Sequence, residues 1–146
     1  MRWSNLRSLL GVQDDPVVDD VKEIEPRPLN ERELDLIHDI LCVNEEWKNA
    51  DLTKTNVVAE GTCGRNGVSF CYILRAPEPE NPRATSERES VGQLWINTDD
   101  GAVINVQLSQ AGGRLEELYL LFVDSKNPKR KLPRDWVETS REAVNL

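Results

Sequence analysis

The chain has 146 residues, 38% of them hydrophobic and 30% charged, and a formal net charge of -8. That length supports one core without disulfide or metal staples. The acid excess argues against nucleic acids and anionic membrane surfaces as partners, because both require a clustered basic surface that only residues 126–134 approach. No stretch reaches the roughly 18 to 20 consecutive apolar residues that a membrane span needs.

Residues 1–11 place Trp3, Leu6, Leu9 and Leu10 at helical spacing, which predicts a short amphipathic helix able to dock on the chain's own core or on a second copy as a homodimer. Residues 13–28 shift to Asp, Glu and Pro and read as an extended acidic arm. Residues 1–28 are therefore set apart from a single domain over 29–146. Asn30 and Glu33 form a capping box, with Leu29 and Leu34 as its hydrophobic staple, so a helix is expected from 31 to about 43. Leu34, Ile37 and Leu41 form its apolar stripe.

Residues 56–60 and 68–74 are rich in β-branched and aromatic side chains and flank a turn at 61–67, predicting a hairpin. Residues 76–90, with three prolines and mixed charge, read as an exposed loop. Three further strands follow at 94–96, 103–108 and 115–123. They are separated by Asp99-Asp100-Gly101 and Ala111-Gly112-Gly113, turns that need positive backbone φ. After a basic run, Trp136 and Val137 are expected to anchor a short tail helix. The expected fold is thus α+β: one main helix packed on a mostly antiparallel sheet of about five strands, with an N-terminal helical arm.

The pattern from Leu29 to Pro133 resembles a family of small, uncharacterised bacterial α+β proteins. The resemblance rests on the capped helix, Trp47-x-x-Ala50, Gly61-Thr62-Cys63-Gly64, Asp99-Asp100-Gly101 and Gly113-Arg114-Leu115-Glu116-Glu117-Leu118. It implies a small α+β domain, and some such proteins look like toxin-immunity proteins. This chain has Arg65 and Asn66 where they carry more cysteine, a departure that weighs against a metal role at that turn.

Asp99, Asp100, Glu116 and Glu117, joined by Tyr119, are the candidate partner-binding surface. The spacing fails the calcium-loop pattern, since Gly101, Ala102 and Val103 supply no side-chain oxygen, and no metal or cofactor is expected. Three cysteines without a C-x-x-C pair, and no leader-like opening, fit a reduced, cytoplasmic protein. Cys63 and Cys71 flank the first hairpin turn and meet on one face if the register parity allows. Cys42 lies four residues from His38, the lone histidine, on the expected helix. These three thiols are the candidates for a cysteine-dependent enzyme or redox protein, the alternative reading beside a structural subunit. No phosphate loop, nucleophile elbow or dinucleotide fingerprint occurs. The favoured expectation is a non-catalytic, acidic protein-binding module, possibly immunity-like, that blocks a basic partner.

Overall fold

The computed structural model describes residues 15–79 and 87–144. Its elements are β1 (Val17–Pro28), α1 (Glu31–Leu41), β2 (Asn56–Arg65), β3 (Ser69–Arg75), β4 (Glu89–Thr98), β5 (Val103–Ala111), β6 (Arg114–Val123) and β7 (Glu138–Val144). The strands form one seven-stranded sheet in the order β1-β2-β3-β6-β5-β4-β7, and every pairing is antiparallel.

The α+β expectation of about five strands and a main helix is therefore overturned. The chain is mostly antiparallel sheet, and the single helix among the described residues has eleven residues. Two strands were missed, both at sheet edges. The acidic stretch expected to be an arm is β1 over residues 17–28, and the expected tail helix is the strand β7. Val18, Val21, Ile24 and Arg27 are the half-buried residues of β1, a spacing of three that matches neither the strand nor the helix template. Acidic side chains and prolines are also what exposed edges carry to discourage unwanted pairing. The expected N-terminal helix, with Trp3, Leu6, Leu9 and Leu10, lies outside the described residues, as do residues 80–86 of the expected loop at 76–90, whose last two residues belong to β4.

The core follows strand alternation. Leu94 and Ile96 of β4, Ile104, Val106 and Leu108 of β5, and Leu118, Leu120 and Phe122 of β6 all point to one face and are almost fully buried. The helix covers that face. Its start has the capping box read from the sequence: Glu33 N donates to Asn30 Oδ1, and Asn30 N donates to Glu33 Oε1. Leu36, Ile37, Ile40 and Leu41 of α1 are buried in the core, each contributing roughly 1.5–3 kcal/mol relative to exposure.

The helix contacts β4, β5 and β7. Gly92 makes that close approach possible, because a Cβ there would lie 2.9 Å from Ile40 Cγ2. Trp47, Ala50, Leu132 and Trp136 pack against the same core from the connecting segments.

Candidate functional site

The second face of the sheet is defined by register, since residues directly opposite one another in neighbouring strands project to the same side. Asp19 pairs with Cys63, Gly61 with Cys71, Cys71 with Tyr119, Tyr119 with Gln107, Gln107 with Gln93, and Trp95 with both Asn105 and Glu142. All of these lie on the side away from Leu94, Leu118 and Leu120. Among the described residues no helix packs there. Trp95 is 43% exposed and Val123 49% exposed on this face, while Tyr119 and Leu121 are half-buried. A sheet face that keeps Trp95 and Val123 exposed while Asn105, Cys63 and Cys71 are buried can bind another protein surface through its exposed part, because aromatic residues contribute large contact area at interface centres.

On the β1 side of this face, beside the β2–β3 turn, lie Cys63 and Cys71, which the β2–β3 register makes diagonal neighbours. The hairpin is closed by Asn66 and Gly67, both with positive φ of 61° and 63°, the pair that a two-residue hairpin turn of this twist uses. The sequence reading took the whole of 61–67 as the turn and missed this signal, so β2 runs five residues further than the 56–60 segment. Both thiols are buried and unpaired by any disulfide.

Burial pushes the Cys71 thiol up, reinforced by its hydrogen bond with Cys63 and by the Glu117 and Asp19 charges. Burial likewise raises Cys63, against the opposing effect of that hydrogen bond. Reactive cysteines need the reverse, a depressed pKa in an electropositive, accessible setting. Tyr119 is also raised by burial, and its hydroxyl is hydrogen-bonded to Ser69. Ser69 Oγ in turn accepts from Phe122 N at 3.0 Å, so the tyrosine ring is held in place over the thiols' side of the sheet.

The four acids picked from the sequence are not brought together. Asp99 and Asp100 sit in the β4–β5 turn, whereas Glu116 and Glu117 lie by the β5–β6 turn at the opposite end of β5. Six residues of strand between their levels correspond to about 20 Å. Each end has its own cation. Arg130 binds Asp100 at 2.6 Å and Asp124 at 3.2 Å, and Arg88 binds Glu117 at 3.0 Å and Glu116 at 3.3 Å. Hydrogen bonding from the Thr98 hydroxyl, with Arg130 beside it, holds the Asp100 carboxyl down at about 2.

Three acids of β1 have no such partner. Asp19, Glu23 and Glu25 are exposed, and none of the three is ion-paired among the described residues. Asp20 meets Lys22 at 3.5 Å, with both side chains largely in solvent. Asp19 and, by the same register, Glu23 stand at the margin of the open face. The sequence reading missed them as site residues because it placed them in a linker. It also passed over Trp95, although its position between Leu94 and Ile96 in a strand puts it on the opposite face from those two core residues.

The remaining sequence candidates are separated from any built site. Cys42 is the exposed C-cap of α1, and its Sγ donates to the Asp39 carbonyl at 3.3 Å. His38 lines a groove of about 460 Å³ with Pro28, Leu29, Leu34 and Leu52, and Cys42 is not among the residues lining it. The cleft beside Asp100, formed with Phe122, Arg130 and Trp136, holds about 160 Å³, below the roughly 300–1,000 Å³ of small-molecule sites. No helix among the described residues is long and apolar enough to cross a membrane. A scan against protein-family models, a search of curated proteins and a search of solved structures each gave no match for the chain.

Proposed function

We propose that this chain is a non-catalytic, acidic protein-binding module whose open sheet face, bordered by the acidic strand β1, engages a basic partner protein. The observation that carries the reading is the contrast in charge pairing. Asp100, Glu116 and Glu117 are each ion-paired to an arginine within the chain, while Asp19, Glu23 and Glu25 are exposed and carry no ion pair among the described residues.

Free carboxylates at the rim of an aromatic-bearing face steer an oppositely charged surface and raise its association rate. Trp95 and Tyr119 supply the contact area that such steering requires to become affinity. An inhibitor of the immunity type, which blocks a basic surface on a toxin, is one form of this function. A reducing compartment such as the cytoplasm suits the unpaired thiols.

The test is capture of a partner with the full chain, followed by affinity measurement over a range of salt. Charge reversal at Asp19, Glu23 and Glu25 together is expected to weaken binding at least tenfold, or about 1.4 kcal/mol, and to flatten its salt dependence. Trp95→Ala and Tyr119→Ala are expected to raise the dissociation rate. Charge reversal at Asp99 and Glu116 is expected to leave affinity within about twofold. A partner whose binding depends on Asp99 and Glu116 but ignores β1 and Trp95 contradicts the reading.

A further inference from the structure

The strand β1 ends the sheet: among the described residues it pairs only with β2. One hydrogen bond fixes which of its main-chain groups are left over. Asn66 N donates to Pro16 O at 2.8 Å, and the β1–β2 register continues without a shift from Val17 opposite Arg65 to Glu23 opposite Ala59. In an antiparallel ladder, hydrogen-bonded and non-hydrogen-bonded pairs alternate. Even-numbered residues, Val18, Asp20 and Lys22, therefore turn their N–H and C=O groups to β2. Val17, Asp19, Val21 and Glu23 turn theirs outward, along an edge that no described element covers. Beyond residue 25, Pro26 and Pro28 interrupt the row of donors.

The side chains of this edge select what can use it. Asp19, Glu23 and Glu25 give it uncompensated negative charge, so a second copy of β1 is repelled. An extended segment bearing lysine or arginine at alternate positions has both the backbone groups and the charge to match. Asp19 and Glu23 also project onto the open face, so a strand added here would continue that face with its own cationic side chains alongside them.

We infer that β1 accepts an extended, basic segment of a partner protein by strand addition, making the sheet eight-stranded, with residues 17–25 as the acceptor. This deepens the protein-binding reading and rests on it. Main-chain hydrogen bonds supply affinity in this mode, and alternate side chains supply specificity.

The experiment titrates the isotope-labelled full chain with a capped peptide of about nine residues alternating lysine and valine. Two control peptides carry N-methyl groups on every second residue or glutamate in place of lysine. The lysine peptide is expected to shift the amide signals of residues 17–25, and both controls to bind at least about tenfold more weakly. Val21→Pro removes one outward N–H without changing charge and is expected to weaken the lysine peptide about tenfold. Asp19→Asn with Glu23→Gln is expected to weaken it several-fold and reduce its salt dependence.

If Val21→Pro loses signal dispersion, the peptide arms alone decide. Equal binding of the N-methylated peptide, shifts centred on Trp95 instead of β1, or no saturable binding of the lysine peptide at millimolar concentration overturns strand addition. None of these results bears on whether a captured partner requires Trp95 and Tyr119, so the failure of this inference is separable from the failure of the proposed function.

Discussion

Asp100 and the thiols mark opposite extremes of what a local environment does to an ionisable group. Asp100 is held at about 2 by the Thr98 hydroxyl and by Arg130. A carboxyl whose folded pKa lies below its ordinary value near 3.8 stabilises the turn fully above that value, and the contribution is lost as pH falls toward 2. A carboxyl-carbon NMR titration is expected to give a midpoint near that value. Thr98→Val is expected to move it up further than Arg130→Ala, and an unmoved midpoint in both variants contradicts the assignment.

The thiols run the other way, since burial raises both Cys63 and Cys71. In the native protein a thiol reagent at mildly alkaline pH is expected to modify Cys42 alone, with Cys63 and Cys71 reacting only after unfolding. Rapid native modification of Cys63 would revive the redox alternative. These residue-scale features divide sharply in their legibility. Asp99-Asp100-Gly101 is readable as a turn because turn chemistry is local. Its ion pairing is not readable, because Arg130 lies thirty positions away along the chain and Arg88 approaches Glu116 from beyond a different loop.

At the level of elements, β1 is fastened to the rest of the molecule by a cluster that also starts the helix. Arg27 donates to both carboxylate oxygens of Glu33, each at 2.8 Å, and to Glu60 at 3.2 Å. Glu33 is 2% exposed and simultaneously accepts from the N-cap amide of Asn30. Arg27→Ala strands a buried carboxylate. It is expected to cost about 3 kcal/mol, at the lower end for a broken buried pair because the arginine itself is partly exposed. Chemical denaturation measures this, and hydrogen exchange should locate the loss in β1 and the first turn of α1.

A loss under about 0.5 kcal/mol contradicts the role given to the pair. Arg141 performs the equivalent task at the other edge, joining β7 to Asp35 and Asp39 of α1. β1 and β7 each pair with one neighbouring strand and each contribute one partly buried hydrophobic residue to the packing against the core, Ile24 and Ala143, so they lack the apolar alternation that made β4, β5 and β6 readable. The helix start was readable for the contrary reason: Asn30 and Glu33 satisfy each other within four residues.

For the molecule as a whole, two faces of one sheet divide the work. One face, with α1 laid across β4 and β5, holds the core; the other is left uncovered by the described elements and carries Trp95, Tyr119 and the buried thiols. Of the acids on this surface, Asp19, Glu23 and Glu25 of β1 have no ion pair among the described residues, whereas Asp100, Glu116 and Glu117 are each paired with Arg130 or Arg88. The sequence therefore made the sign of the surface readable but not its location, since the strand that carries it reads as a linker until its pairing with β2 is known.

Hydrogen exchange on the chain with and without a captured partner shows which surface the partner covers. Binding is expected to slow exchange in residues 17–25 and in the open-face segments around Trp95 and Tyr119. Protection confined to the Asp99-Asp100-Gly101 turn and the helix face, with β1 and Trp95 unchanged, would contradict it.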